Sequence, residues 1–198
     1  MKTFAIKGCC VASPPVADWR EQLAFMLGAK PRRIGTWAEL GLYGALRCMA
    51  DAGEMILPTD AQIWLGSRRG TYAATDIVLN QLHEDLPMPL AFLQTQPGQL
   101  LALLAAQLNW KGNACFVAGA EHQALLELAT AQAGSDGFLL GWVDEMNDGS
   151  SNWLRLYPAA VTAHVRIANI SDTLTWSGAS HVQAGRAARA SLGVGCPE

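Results

Sequence analysis

Glu121 and His122 lie in the stretch whose order of residue types comes nearest to a catalytic arrangement. Phe116-Val117-Ala118 is a short β-rich run that breaks at Gly119-Ala120. It passes directly into Glu121-His122-Gln123-Ala124-Leu125-Leu126-Glu127-Leu128, an amphipathic helical pattern. A strand that delivers a residue to the start of a helix suits a nucleophile, because the positive end of the helix favours an anion there. Here that residue is a glutamate, and neither Ser nor Cys stands beside it. Three roles are open for the carboxylate. It can rest in the field of the helix dipole, worth ~0.3–1 kcal/mol at an exposed site. It can act as a polar plug that hydrogen-bonds backbone N–H groups. Or it can serve as a general base, which needs a proton-transfer partner such as His164 or His181. His122 has no second Cys or His at metal-ligand spacing and reads as a local histidine, so no metal is predicted.

Other routes to chemistry are closed by absence: the sequence holds no GxGxxG, P-loop, CxxC pair, HExxH or GxSxG motif, and nothing calls for a cofactor. Two arginine pairs, Arg32-Arg33 and Arg68-Arg69, are either solvated surface or a dock for an acidic partner. The net charge of −3 carries no nucleic-acid footprint. Five cysteines without framework spacing argue against a disulfide scaffold, and Cys9-Cys10 reads as a buried or half-buried strand pair. Charged residues make up 16% of the chain, against roughly a quarter in ordinary domains. That shortage suits a sheet covered on both faces, or a surface hidden against a partner. No window is long and apolar enough to span a bilayer, and Lys7 interrupts an N-terminal apolar stretch too short for a signal-peptide core. The expected location is the cytoplasm, with no membrane and no nucleic acid as partner.

The elements that must position these residues can be read from periodicity. Residues 3–12 form a strand ending at Ser13-Pro14-Pro15. Helices are predicted from Asp18 to Leu27, over Thr36–Ala52 with Gly53 as its stop, over Thr71–Leu82, over Gly98–Leu108, and from Ala120 to about Gln132. Strands are predicted at 61–65, 114–118, 138–143 and 161–167. Residues 87–97 read as irregular and proline-punctuated, and residues 144–152 as a polar turn. Strands alternating with helices predict an α/β layered fold with a mixed or mostly parallel sheet. Residues 171–198 are rich in Ser, Gly and Ala; this tail is expected to be poorly ordered, or to order only against a partner.

Four segments, taken in order, resemble the N-terminal half of a β-ketoacyl synthase, a condensing enzyme of the thiolase-like superfamily. Pro31-Arg32-Arg33 runs into a Leu/Ala helix that ends in Ala50-Asp51-Ala52-Gly53. Ile63-Trp64-Leu65-Gly66-Ser67 with Gly70 is similar to the family's strand and glycine turn. Pro89, Phe92, Thr95 and Pro97 lead to Leu108 and Gly112, as the loop and helix before the active-site strand do. Phe116-Val117-Ala118-Gly119-Ala120 then occupies that strand, and Glu121 falls where the nucleophilic cysteine belongs. Farther on, Leu140-Gly141-Trp142-Val143-Asp144-Glu145 resembles a "GGxDE" strand end. The resemblance covers residues 3–170, so the chain divides into a ketosynthase-like half over 1–170 and the tail 171–198.

The resemblance implies a layered α-β-α unit with a buried central helix starting near position 121. It also implies chemical silence. A carboxylate cannot carry an acyl thioester, and the two catalytic histidines of the family come from a second half with no counterpart here; His83, His122, His164 and His181 match neither. Condensing enzymes of this kind are two-fold dimers joined through the active-site strand. The resemblance therefore assigns Cys115, Phe116, Val117, Ala118 and Gly119 to a seam with a catalytic β-ketoacyl synthase. Phe92, Gln94 and Gln96, on the loop before that strand, fall beside its acyl tunnel. Such a chain would be a chain length factor of type II polyketide, aryl polyene or fatty-acid-like biosynthesis, with Arg32, Arg33, Arg68 and Arg69 facing an acyl carrier protein. Two other readings stand beside this one: a free-standing hydrolase or acyltransferase using Glu121 with a histidine, and a pure scaffold that stabilises a partner.

Overall fold

A computed structural model describes residues 4–86, 89–119 and 121–158. The elements follow in the order β1 (Phe4–Ala12), α1 (Trp19–Leu27), α2 (Thr36–Asp51), β2 (Gln62–Ser67), α3 (Tyr72–His83), α4 (Pro89–Gln94), α5 (Gly98–Gln107), β3 (Ala114–Ala118), α6 (His122–Gln132), β4 (Phe138–Asp144) and β5 (Ser150–Pro158). Five strands form one mixed sheet in the order β1-β5-β4-β2-β3. The pairs β2–β3 and β2–β4 are parallel, whereas β1–β5 and β4–β5 are antiparallel. β5 alone therefore runs against the common direction, so the sheet is mixed and mostly parallel, as expected.

Three elements depart from the sequence reading. Residues 89–94 form a short helix, because Pro89 at its first position has the φ a helix needs and no N–H to waste. β5 begins at Ser150, inside the stretch read as a turn, where Ser151 and Asn152 pair with Val143 and Trp142 of β4. α6 starts at His122, so Glu121 precedes the helix rather than opening it. The strand expected at 161–167 and the tail 171–198 lie outside the described residues.

The core is built around α2. Gly53 adopts φ +68° after the helix, with its N–H on the Ala50 carbonyl and the Glu54 N–H on the Met49 carbonyl, which closes the last turn. Ten residues of α2 are buried, from Trp37 to Met49, and with α5 and α1 they cover one face of the sheet. Close approach is permitted by glycines: a Cβ on Gly44 would lie 2.2 Å from Ser151 Oγ, and one on Gly41 would lie 2.3 Å from Leu100 Cδ2. On the opposite face α6 buries Leu125, Leu126 and Ala129 against Trp64, Leu140, Trp142 and Leu154. This corrects the expectation of a buried central helix at 121. The helix enclosed on most sides is α2, and the outer side of α6 is exposed at Gln123, Ala124, Glu127 and Leu128.

Arg155 of β5 is fully buried. It donates to Glu54 Oε2 at 2.7 Å and to the carbonyls of Asp136 and Leu156 at 2.8 and 2.7 Å. The β1–β5 register shifts between Ile6 and Gly8, which leaves Lys7 as the bulged residue, and its ammonium reaches the same Glu54 carboxylate. Burial pushes the Glu54 carboxyl up, but the hydrogen bonds from Lys7 and Arg155 outweigh it and hold the carboxyl below its ordinary value.

Two predictions follow from this packing. Gly44→Ala should destabilise the fold by about 1–3 kcal/mol in chemical denaturation, because overpacking against Ser151 and Trp153 outweighs the helix propensity of alanine. Glu54→Ala should cost about 3–5 kcal/mol, because Arg155 is left buried without its counter-ion. Since the folded pKa of Glu54 lies below the unfolded one, the wild-type stabilisation is present above the unfolded value and lost as pH falls through the folded one. The variant should lack this part of the acid dependence.

Candidate functional site: an edge strand and the carboxyl ends of the sheet

β2, β3 and β4 all end on the same side of the sheet, and Ser67, Arg68, Asp144 and Glu145 meet there. Ser67 closes β2; its hydroxyl donates to Asp144 Oδ1 at 2.9 Å and accepts the Gly70 N–H at 2.7 Å. The Arg68 N–H also meets Asp144 Oδ1, at 2.9 Å, and the Trp142 indole N–H meets Oδ2 at 2.7 Å. Asp144 thus accepts three hydrogen bonds and fixes the β2–α3 turn against the end of β4. Glu145 next to it takes the Ala73 N–H in the first turn of α3 at 2.7 Å, and a backbone hydrogen bond from Trp37 in the first turn of α2. Burial pushes the Glu145 carboxyl above its ordinary range, and the neighbouring Asp144 adds to this against the pull of the N–H groups. One carboxylate therefore holds two helix starts.

Glu121 stands at the N-cap of α6 in an extended conformation (φ −74°, ψ 150°), exposed, and its side chain makes no capping hydrogen bond. The polar-plug role is thereby corrected. Capping suits the short side chains of Ser, Thr, Asp and Asn, and the longer glutamate turns to solvent. His122 stacks on Trp142 with ring centroids 3.9 Å apart, as a local histidine should. His164 and His181, the partners required by a Glu121-based hydrolase, lie outside the described residues. Among the described residues no group of three His, Cys, Asp or Glu could hold a metal ion. Burial raises the Cys10 thiol to about 12 and pushes the fully buried Cys48 up as well, so neither is a thiolate at neutral pH.

β3 is the edge strand next to β2, and its residues alternate between the two faces. Phe116 packs edge-on against Trp37 at 5.8 Å on the α2 side, while Cys115 and Val117 pack on the α6 side. The Ile63 N–H bonds the Asn113 carbonyl and the Gly119 N–H bonds the Ser67 carbonyl. With a period of two, Cys115 and Val117 direct their backbone groups toward β2, and Ala114, Phe116 and Ala118 direct theirs away from it. Among the described residues no strand pairs with that outer edge. Gly119 ends the strand at φ +70°.

α3 and α4 bury no residue at all. Ile77, Leu79, Leu82, Leu90, Phe92 and Leu93 are each about half exposed. Thr71 Oγ1 donates to the Thr95 carbonyl at 2.7 Å and so ties the start of α3 to the end of α4. At the same turn Gly70 approaches the Phe116 ring. Phe92 therefore stands on an exposed apolar face. Gln94 packs on Gly35, and Gln96 is exposed, bonded to Thr95. The contribution of α3 was not visible in the sequence, because a helical pattern does not state whether another element covers it. Arg32 and Arg33 sit on the exposed loop before α2, and Arg68 and Arg69 on the β2–α3 turn.

No protein-family model and no curated protein matches the chain. Solved structures do match in three dimensions. A complex of the ketosynthase ApeO with its chain length factor ApeC from Xenorhabdus doucetiae aligns over 81% of this chain and 81% of that one, at 14% identity and a TM-score of 0.55. The ishigamide ketosynthase/chain length factor aligns over 83% of this chain and 64% of its own, at 14% identity and a TM-score of 0.60. AntDE:AntF, a type II acyl-carrier protein in complex with its ketosynthase, aligns over 79% and 63%, at 10% identity and a TM-score of 0.57. The chain thus spans less than two thirds of the latter two. The likeness establishes the fold: an α/β unit with a five-stranded mixed sheet, similar to these ketosynthase and chain length factor structures. No helix among the described residues is long and apolar enough to cross a membrane.

Removing the Glu121 side chain deletes no capping bond. Glu121→Ala should therefore change thermal stability by no more than about 0.5 kcal/mol, as at other surface sites.

Proposed function

We propose that this chain is a non-catalytic subunit of the chain-length-factor type. It pairs with a catalytic β-ketoacyl synthase through β3 and helps shape the acyl tunnel of that synthase in type II polyketide, aryl polyene or fatty-acid-like biosynthesis. The observations that carry the reading are the outer edge of β3, which no described strand pairs, and the large apolar side chains that α3 and α4 leave exposed. An open strand edge is a template for another strand, and exposed large apolar side chains are what an interface covers. The partner class comes from the sequence resemblance, and it agrees with neighbours that are themselves ketosynthase–chain length factor and ketosynthase–carrier assemblies.

Chemical silence is part of the proposal. Glu121 stands at the helix start where a condensing enzyme needs a thiolate, and the buried thiols of Cys10 and Cys48 are held protonated. Phe92 on α4 then meets the growing acyl chain, flanked by Gln94 and Gln96. Arg32 and Arg33, on their exposed loop, are placed to meet an acidic carrier protein.

The backbone geometry of β3 supplies the test. The Ala118 N–H points away from β2, so Ala118→Pro removes a donor that the isolated fold does not use. The variant should keep its thermal midpoint and lose co-purification with the co-expressed synthase. In the intact pair, Phe92→Ala should lengthen the product and Phe92→Trp should shorten it, as read by mass spectrometry. Undiminished co-purification of the proline variant would remove the seam from β3, and unchanged product length would remove the tunnel role.

A further inference from the structure

The two arginine pairs, alike in sequence, occupy different surroundings. Arg32 and Arg33 stand on a loop, whereas Arg68 and Arg69 line a cleft of about 400 Å³. The cleft lies outside the carboxyl ends of three strands: Ser13 follows β1, Arg68 follows β2, and the turn from Met146 to Ser150 follows β4. Crevices at strand carboxyl ends are where open α/β sheets take their ligands.

We propose that this cleft binds the phosphate or pyrophosphate group of a small ligand. Among the described residues neither guanidinium is in an ion pair; the three pairs found there use Lys7, Arg20 and Arg155. Asp144 also lines the cleft and accepts the Ser67 hydroxyl, the Arg68 N–H and the Trp142 indole, and it forms an ion pair with neither guanidinium. Those bonds, with the Gly70 N–H on Ser67 Oγ, hold the turn that carries both arginines. The site is therefore preorganised. Arg69 is further steadied over the Tyr72 ring at 5.6 Å.

Two adjacent planar forks present paired N–H donors, and a phosphate offers several outward oxygens to receive them. The hydroxyls of Ser13 and Ser150 and the amide of Asn147 line the same space and can bond the remaining oxygens. Asp148 is the one lining carboxylate outside the Asp144 network, and it opposes an anion from the turn. The concave shape favours a small group over the convex surface of an acidic protein. The proposal is independent of strand pairing at β3.

The test is a calorimetric titration of the full chain with inorganic pyrophosphate, repeated with inorganic phosphate and followed by ³¹P line width. One saturable site is expected. Arg68→Ala and Arg69→Ala should each weaken binding by about tenfold or more, as loss of a charge-assisted bond does. The double variant Arg32→Ala/Arg33→Ala should stay within about twofold, and Asp148→Asn should tighten binding by removal of a like charge. The Ala118→Pro variant should bind pyrophosphate unchanged, which separates this site from the pairing surface. Absence of saturable binding, indifference to Arg68 and Arg69, or an equal loss with Arg32 and Arg33 would overturn the assignment.

Discussion

The approach of α2 to the sheet is the constraint on which the remaining architecture depends. Gly41 and Gly44 let the helix sink between α5 and β5 to a depth that a single added methyl would forbid. At that depth Trp37 donates its indole N–H to the Val143 carbonyl and presents its ring to Phe116. The start of the helix also arrives beneath Glu145, whose carboxylate binds α3 as well. A helix that fills this face leaves α3 and α4 outside the core, joined to it mainly through the β2–α3 turn. Their apolar residues stay exposed because the sheet has no room for them.

The two faces of the sheet are unequal as a result. One carries α1, α2 and α5 over a large cluster, and the other carries α6 over a smaller one. α6 presents Gln123 and Glu127 to water, joined by a 3.0 Å hydrogen bond. α3 and α4 instead expose Ile77, Leu79, Leu82, Leu90, Phe92 and Leu93.

The carboxyl edge of the sheet shows how catalytic-looking residues can be consumed by structure. Asp144, Glu145, Ser67 and His122 include the residue types of many hydrolytic sites. Each is instead engaged with a neighbour: Asp144 with three donors, Glu145 with two helix starts, Ser67 with Asp144 and Gly70, and His122 with the Trp142 ring. Such groups order the turn from which Arg68 and Arg69 project.

Much of this was legible in the chain itself. Period-2 and period-3.6 patterns placed β1, α1, α2, α5, β3 and β4 nearly to the residue, and Gly53 marked the end of α2, because these are local preferences that each segment carries alone. Order and spacing of motifs pointed to the fold. Tertiary structure decided the rest. A pattern of apolar residues states that a helix has a greasy side but not whether another element reaches it, so α2 proved buried and α3 bare. Ala114–Ala118 read as a strand without revealing that it closes the sheet, since edge position depends on pairings distant in sequence. Two identical Arg-Arg dipeptides became a loop and a cleft, because concavity is made by three strand ends that meet only after folding.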